Sequence, residues 1–213
     1  MVPKIVDPDQ RRDEIATAAI ALIARGGADH ATLANVAAEA GLAVGSVRHY
    51  FAGQAAMVEF AMRRLADRIG ERVLAIARPV LDGEVSDPHE RRRATVDLLC
   101  ELLPLDGLRR REVTAWIALS AAAVYRPDLH PIVDELHAAV RAVTRVIVER
   151  SRAAGLSDGT EEDLDLDADA LAALVDGLAV DAVLYPDRYP PERLRRVVER
   201  HLDRASAPGP RRT

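Results

Sequence analysis

Residues Val44-Gly45-Ser46-Val47-Arg48-His49-Tyr50 gather a hydroxyl, a guanidinium, an imidazole and a phenol on about two turns of chain. That mixture does not suit a buried core. It suits hydrogen bonding to an extended polar partner, where phosphate contacts set position and base-edge contacts set sequence choice. Three other groups invite chemistry. His130, Asp134 and His137 stand at spacings of four and three, so one helical face could present all three to a metal. Pro131, however, places His130 at a helix entrance, and a capping His with a solvated Asp is the better reading, so no metal or other cofactor is expected. Asp176 and Asp181 interrupt an apolar run, where a buried carboxylate needs a cationic partner, either a ligand or an arginine. Cys100 is the single cysteine and excludes an internal disulfide; it reads as a small buried hydrophobe in a reducing, cytoplasmic protein. There is no Gly-rich phosphate loop, nucleophile elbow, His-Glu-x-x-His or cysteine pair, and the six histidines are scattered, so no enzyme motif stands out.

The elements that must carry these residues are helical. Aromatics are 3% of the 213 residues, while Ala, Leu, Val and Arg dominate, which favours helices over sheets. The formal net charge is −5, so any case for nucleic-acid binding has to rest on a local site. No stretch approaches the roughly 18 uncharged apolar residues of a membrane span, and no signal-peptide pattern opens the chain.

Along the chain, Ile15, Ala18, Ala19, Leu22 and Ile23 mark a first helix from Asp9, stopped by Gly26-Gly27. Thr32 caps a short second helix and Gly41 ends it; a third runs from Val44 to Phe51. A long helix over 54–81 carries Val58, Met62, Leu65, Ile69, Val73 and Ile76. Further helices follow from Pro88, over 108–125, and over 130–155. Residues 156–167 are acidic and turn-rich and read as a surface loop. Two last helices carry Leu171–Tyr185 and, after Pro190-Pro191, Leu194–Leu202; residues 206–213 read as a disordered tail. The expectation is an all-α protein of about nine helices.

Thr32 to Phe51 therefore spells two short helices joined by a tight turn at Gly41-Leu42-Ala43. The run Ala40-Gly41-Leu42-Ala43-Val44-Gly45-Ser46-Val47-Arg48-His49-Tyr50-Phe51 resembles the recognition segment of the TetR family of transcriptional regulators. The match is close over residues 9–60 and looser to the end, where Leu171–Leu202 resembles the closing helix pair of the choline-responsive, BetI-like branch. The resemblance implies a helix-turn-helix DNA-binding domain over 1–53 and a ligand-sensing and dimerisation domain over 54–205. It implies a regulator, a repressor in the family's usual mode, that binds a palindromic double-stranded operator as a homodimer and is released by a small-molecule effector.

Residue by residue, the resemblance gives Thr32, Ser46 and Tyr50 to phosphates with His49 beside them. It turns Val44, Gly45 and Arg48 toward bases and puts Gln54 where many relatives carry Lys. Met62, Leu99, Cys100, Leu103, Trp116, Leu119, Tyr125, His137 and Asp176 become candidates to line the effector pocket, although a lone Trp such as Trp116 is more often simply core. Leu171, Leu174, Leu178, Ala182, Leu194, Val198 and His201 become candidates for the dimer face. Residues 1–60 hold five Lys/Arg against seven Asp/Glu, so few counterions would be released and non-specific affinity should be modest. A helical small-molecule carrier or an enzyme without DNA function would leave the Arg48-His49-Tyr50 face unexplained.

Overall fold

The computed structural model describes residues 7–155 and 160–205. Among them are nine α-helices and no strand: α1 Pro8–Gly26, α2 Leu33–Glu39, α3 Val44–Tyr50, α4 Gln54–Leu81, α5 Pro88–Cys100, α6 Gly107–Ala123, α7 His130–Ala153, α8 Glu161–Leu184 and α9 Pro191–Ala205. The expected tail over 206–213 lies outside the described residues.

Local chemistry explains most boundaries. The Asp7 carboxylate accepts a hydrogen bond from the Asp9 amide at 3.0 Å, and Pro8 follows at the first helical position of α1. Gly27, at φ 82°, then turns the chain in a conformation that side chains resist. Asp87 and Pro88 repeat the same start for α5. His130 sits at the entrance of α7, as its neighbour Pro131 suggested, and its Nε2 donates to the Ala123 carbonyl at 2.8 Å. It thereby satisfies one of the orphan carbonyls that end α6. Among the described residues no group of His, Cys, Asp and Glu is arranged to hold a metal ion.

One boundary corrects the sequence reading. The acidic stretch expected as a loop to Asp167 is helical from Glu161. Thr160 Oγ1 accepts from the Asp163 amide at 3.2 Å, and the Asp163 carboxylate accepts from the Thr160 amide at 2.7 Å. This reciprocal box starts the helix, and Glu161, Glu162 and Asp163 complement its positive end. Arginines of α7 neutralise the rest: Arg145 pairs with Glu161 and Asp165, and Arg141 with Asp169 at 2.6 Å. Residues 156–159 of the expected loop lie outside the described residues.

The chain divides into two compact units. The first takes the residues up to Gly70 together with Arg111–Leu136. Its core joins Ile15 and Ile23 of α1, Val36 of α2, Val47 of α3, Met57 and Met62 of α4 and Leu119 of α6, all essentially inaccessible. Burial of this kind stabilises by about 1.5–3 kcal/mol per large side chain, before chain entropy is counted. Arg64 and Arg68 of α4 reach Asp13 and Thr17 of α1.

The second unit takes Glu71–Arg110 and the chain from His137 onward. Here α5 packs on α9, with Arg195 on Asp97 at 2.6 Å. Glu101, only 7% exposed, is held by Arg72 at 2.8 Å and by Arg109. Arg110 donates to the carbonyls of Ala182 and Val183 at 3.1 and 2.9 Å and so closes the end of α8.

Candidate nucleic-acid interface

Three short segments of the first unit build the interface. Thr32 Oγ1 accepts from the Asn35 amide at 3.1 Å, which starts α2 and leaves the hydroxyl proton free to donate. Gly41, at φ 67°, then reverses the chain. The Gly41 amide bonds the Ala38 carbonyl at 3.2 Å and the Leu42 amide bonds the Ala37 carbonyl at 2.8 Å, a wrapped C-terminus that fixes the angle between α2 and α3.

Two buried side chains pin α3. Val47 is fully buried and Phe51 nearly so, and both belong to the core of the first unit. The other faces are left to the outside. Val44, Gly45, Ser46, Arg48 and His49 are exposed, Tyr50 is half-buried, and the His49 and Tyr50 rings meet edge to face at 5.2 Å. The residues singled out on α3 are thus brought together on one short helix. Arg48 makes no ion pair with any described residue.

Gly45 adds a point about shape. A Cβ built there would meet nothing of the protein within 4 Å. Glycine inside a helix costs roughly 0.5–1 kcal/mol against alanine, so this protein's own packing gives no reason for it. A groove of about 520 Å³ runs along this side of α3, lined by Leu42, Gly45, Ser46, His49, Tyr50 and, from α1, Arg11. Arg11 was not legible as a site residue, because only the packing of α1 brings it there.

Gln54 is partly committed elsewhere, since its Nε2 donates to the Ala28 carbonyl at 3.3 Å. Arg12 is also committed. Its guanidinium lies 4.6 Å from the Phe60 ring centre and 5.5 Å from that of Phe51, clasping the C-terminus of α3 by cation–π contact.

The residues expected around an effector pocket divide between the units. Met62, Trp116, Leu119 and Tyr125 lie in the first, and Leu99, Cys100, Leu103, His137 and Asp176 in the second. Tyr125 stands 87% exposed on the turn after α6. Met62, Leu119, Leu99, Cys100 and Leu103 are fully buried, Trp116 is half-buried and His137 is exposed. Burial pushes the Cys100 thiol up. It also pushes the Asp176 carboxyl above its usual range, with His137 pulling weakly the other way.

The candidate dimer residues lie mostly inward. Leu171, Leu178, Ala182, Leu194 and Val198 are buried within this chain, and Leu174 and His201 are half-buried. Burial lowers the His201 imidazole's affinity for a proton. The outward face of α8 is a different stripe, Leu166, Ala170, Ala173, Gly177, Val180 and Leu184, at spacings of three and four. Of these, Leu166 is 60% and Leu184 62% exposed.

Comparison with known proteins agrees with this geometry. Residues 15–61 match the family described as bacterial regulatory proteins, tetR family, and residues 88–207 match the BetI-type transcriptional repressor C-terminal family. The HTH-type transcriptional regulator PksA of Bacillus subtilis (strain 168) is 32% identical over 203 residues, covering 95% of this chain and 93% of the relative. The crystal structure of a transcriptional regulator from Rhodococcus sp. Rha1 is similar with a TM-score of 0.75 at 29% identity, over 94% of this chain and 96% of that one. A regulator from Saccharomonospora viridis, solved in complex with choline, shares the fold with a TM-score of 0.76 at 21% identity, over 92% and 96% of the two chains.

Proposed function

We propose, since this chain belongs to the TetR family of helix-turn-helix transcriptional regulators, that it is a cytoplasmic repressor that holds a palindromic operator as a homodimer and lets go when a small cation binds. Residues 1–53 would read the DNA and residues 54–205 would sense the effector and pair the subunits. The observation that carries the reading is the exposed Val44–Tyr50 face of α3, pinned from behind by Val47 and Phe51. No helix among the described residues is long and apolar enough to cross a membrane.

In this reading Thr32, Ser46 and Tyr50 hold phosphates, and Val44 and Arg48 meet base edges. Gly45 lets the groove floor come close. A single α3 spans too few base pairs for useful selectivity, and two-fold pairing of subunits places two of them about one helical turn apart, roughly 34–36 Å. The outward apolar stripe of α8 is the face we assign to that pairing. The effector is assigned to the surroundings of Asp176, whose poorly solvated carboxylate would be stabilised by a cation. The choline-bound relative lends this support by analogy.

The test is selection of duplexes from a random pool by the full chain, followed by titration of the enriched duplex. Arg48→Ala should relax the preference at one base pair per half-site, a discrimination of about 1–3 kcal/mol. Equal weakening on every sequence would remove Arg48 from base reading, and failure to enrich any palindrome would remove the operator model. Choline then serves as the first effector probe. It should weaken operator binding by the intact chain and lose that effect in Asp176→Asn.

A further inference from the structure

The groove along α3 contains one cation that does not come from the helix-turn-helix. We infer that Arg11 of α1 is a backbone-phosphate anchor of the DNA interface, with Glu14 as its resident counterion. The inference rests on the DNA-binding reading above and assigns it a residue that the recognition segment does not contain.

Arg11 lines the same groove as Ser46 and Tyr50, two of the groups given to phosphates, and His49 beside them. Its side chain is 23% exposed, so it lies along the protein surface rather than waving in solvent. The helix beneath is rigid, because Ile15 and Ala16, one turn further on, are fully buried. Glu14 Oε2 lies 2.8 Å from Arg11 Nη1, and Gln10 steadies the other carboxylate oxygen at 3.4 Å. A guanidinium has five donors in a planar fork, so the contact with Glu14 leaves enough for an incoming phosphate.

The local charge balance makes the anchor matter. Arg12 is spent on Phe51 and Phe60, and Arg25 is paired with Glu39 at 2.5 Å. Among the described residues, Arg11 in the groove and the exposed Arg48 are the cations placed beside the outer face of α3. Exposed pairs three residues apart contribute little, so exchanging the Glu14 carboxylate for a phosphate costs little. Glu14 itself bears the sign of the phosphate and tempers every encounter with DNA, whatever the sequence.

The probe is a labelled duplex of random sequence, bound by the full chain over a series of salt concentrations and read by fluorescence anisotropy. Arg11→Ala should lower the magnitude of the slope of log affinity against log salt by about 0.9 per bound subunit. Arg11→Lys should keep the slope, and Glu14→Gln should raise affinity several-fold at low salt. Arg63→Ala is the matched control, since it removes a cation of the same unit that pairs with Glu59 and Glu135. It should leave the slope alone. An unchanged slope in Arg11→Ala, or an equal loss in Arg63→Ala, overturns the anchor while the DNA-binding reading stands. Should Arg11→Ala fail to fold, an unchanged affinity in Glu14→Gln overturns it instead. Absence of duplex binding by the unmodified chain at any salt would overturn the DNA-binding reading itself.

Discussion

Arg64 of α4 grips Asp13 of α1 with two parallel hydrogen bonds, Nε to Oδ1 at 2.8 Å and Nη2 to Oδ2 at 2.7 Å. The fork ties the long helix to the helix that carries Arg11. Both side chains keep about a third of their surface in water (34% and 36%), which screens the pair. Its bidentate geometry places it at the upper end of the range for exposed pairs. Asp13→Asn should cost about 1 kcal/mol in urea unfolding. The Arg64 guanidinium holds the Asp13 carboxyl below the usual carboxylate range. Stability from such a group is present above its unfolded-state value, near pH 4, and is lost as pH falls through the depressed folded value. The gap between wild type and Asp13→Asn should therefore be level above about pH 5 and narrow progressively below pH 4. A gap that widens on acidification would contradict the assignment.

Gly45→Ala separates fold from function because the two should move in opposite directions. Nothing of this chain would meet the new Cβ, and alanine is the better helix former. Thermal unfolding should shift upward, by a stability gain of about 0.5 kcal/mol. Binding to the selected duplex should weaken at least tenfold, because the methyl group stands where the groove floor must approach. Unchanged DNA affinity would mean that Gly45 does not face the duplex.

Glu101 is the most buried carboxylate among the described residues of the second unit. Arg72 of α4 and Arg109 of α6 both bond it, and they are themselves 29% and 24% exposed. Glu101→Ala would remove the buried anion that both guanidiniums share, although Arg109 also lies 3.6 Å from Asp106. Breaking a buried pair from one side costs about 3–5 kcal/mol, and the partial exposure of the arginines argues for the lower end. Denaturant unfolding should show a loss near 3 kcal/mol. Glu101→Gln keeps hydrogen-bond acceptance and should lose less.

How much of this was legible in the sequence depends on what each element hides. The helix-turn-helix was legible because its signals are local: the Thr32 cap, the Gly41 turn and the single buried Val47 all lie within fifteen residues of one another. The start of α8 was misread as loop because residues 161–167 lack an apolar period, and the helix there stands on charge. Its signal was present in Thr160 and Asp163, the two ends of the capping box. The outward face of α8 was not legible because the helix is apolar nearly all round. Leu171, Val175, Leu178 and Ala182 form one stripe, and Ala173, Gly177, Val180 and Leu184 form another. Periodicity finds both stripes and cannot say which one the same chain covers. Arg11 reaches its groove only through tertiary packing, which no spacing along α1 encodes.

The outward stripe of α8 gives the last prediction. Gly177 stands in its middle, and a Cβ there meets nothing of this chain within 4 Å. Gly177→Glu is therefore free to keep the fold of the single chain, and replacing a mid-helix glycine should even favour α8 by some tenths of a kcal/mol. In a close helix pairing between two copies the same change buries an unpaired carboxylate against its symmetry mate. That costs several kcal/mol at an isologous interface, where every substitution acts twice. Sedimentation should then show a folded monomer in place of the proposed wild-type dimer, with helicity and unfolding midpoint retained at high protein concentration. Affinity for the full palindrome should fall to that of a single half-site. Gly177→Ala should remain a dimer, because a methyl group is tolerated where a charge is not. A Gly177→Glu chain that still sediments as a dimer would move the interface off this stripe of α8.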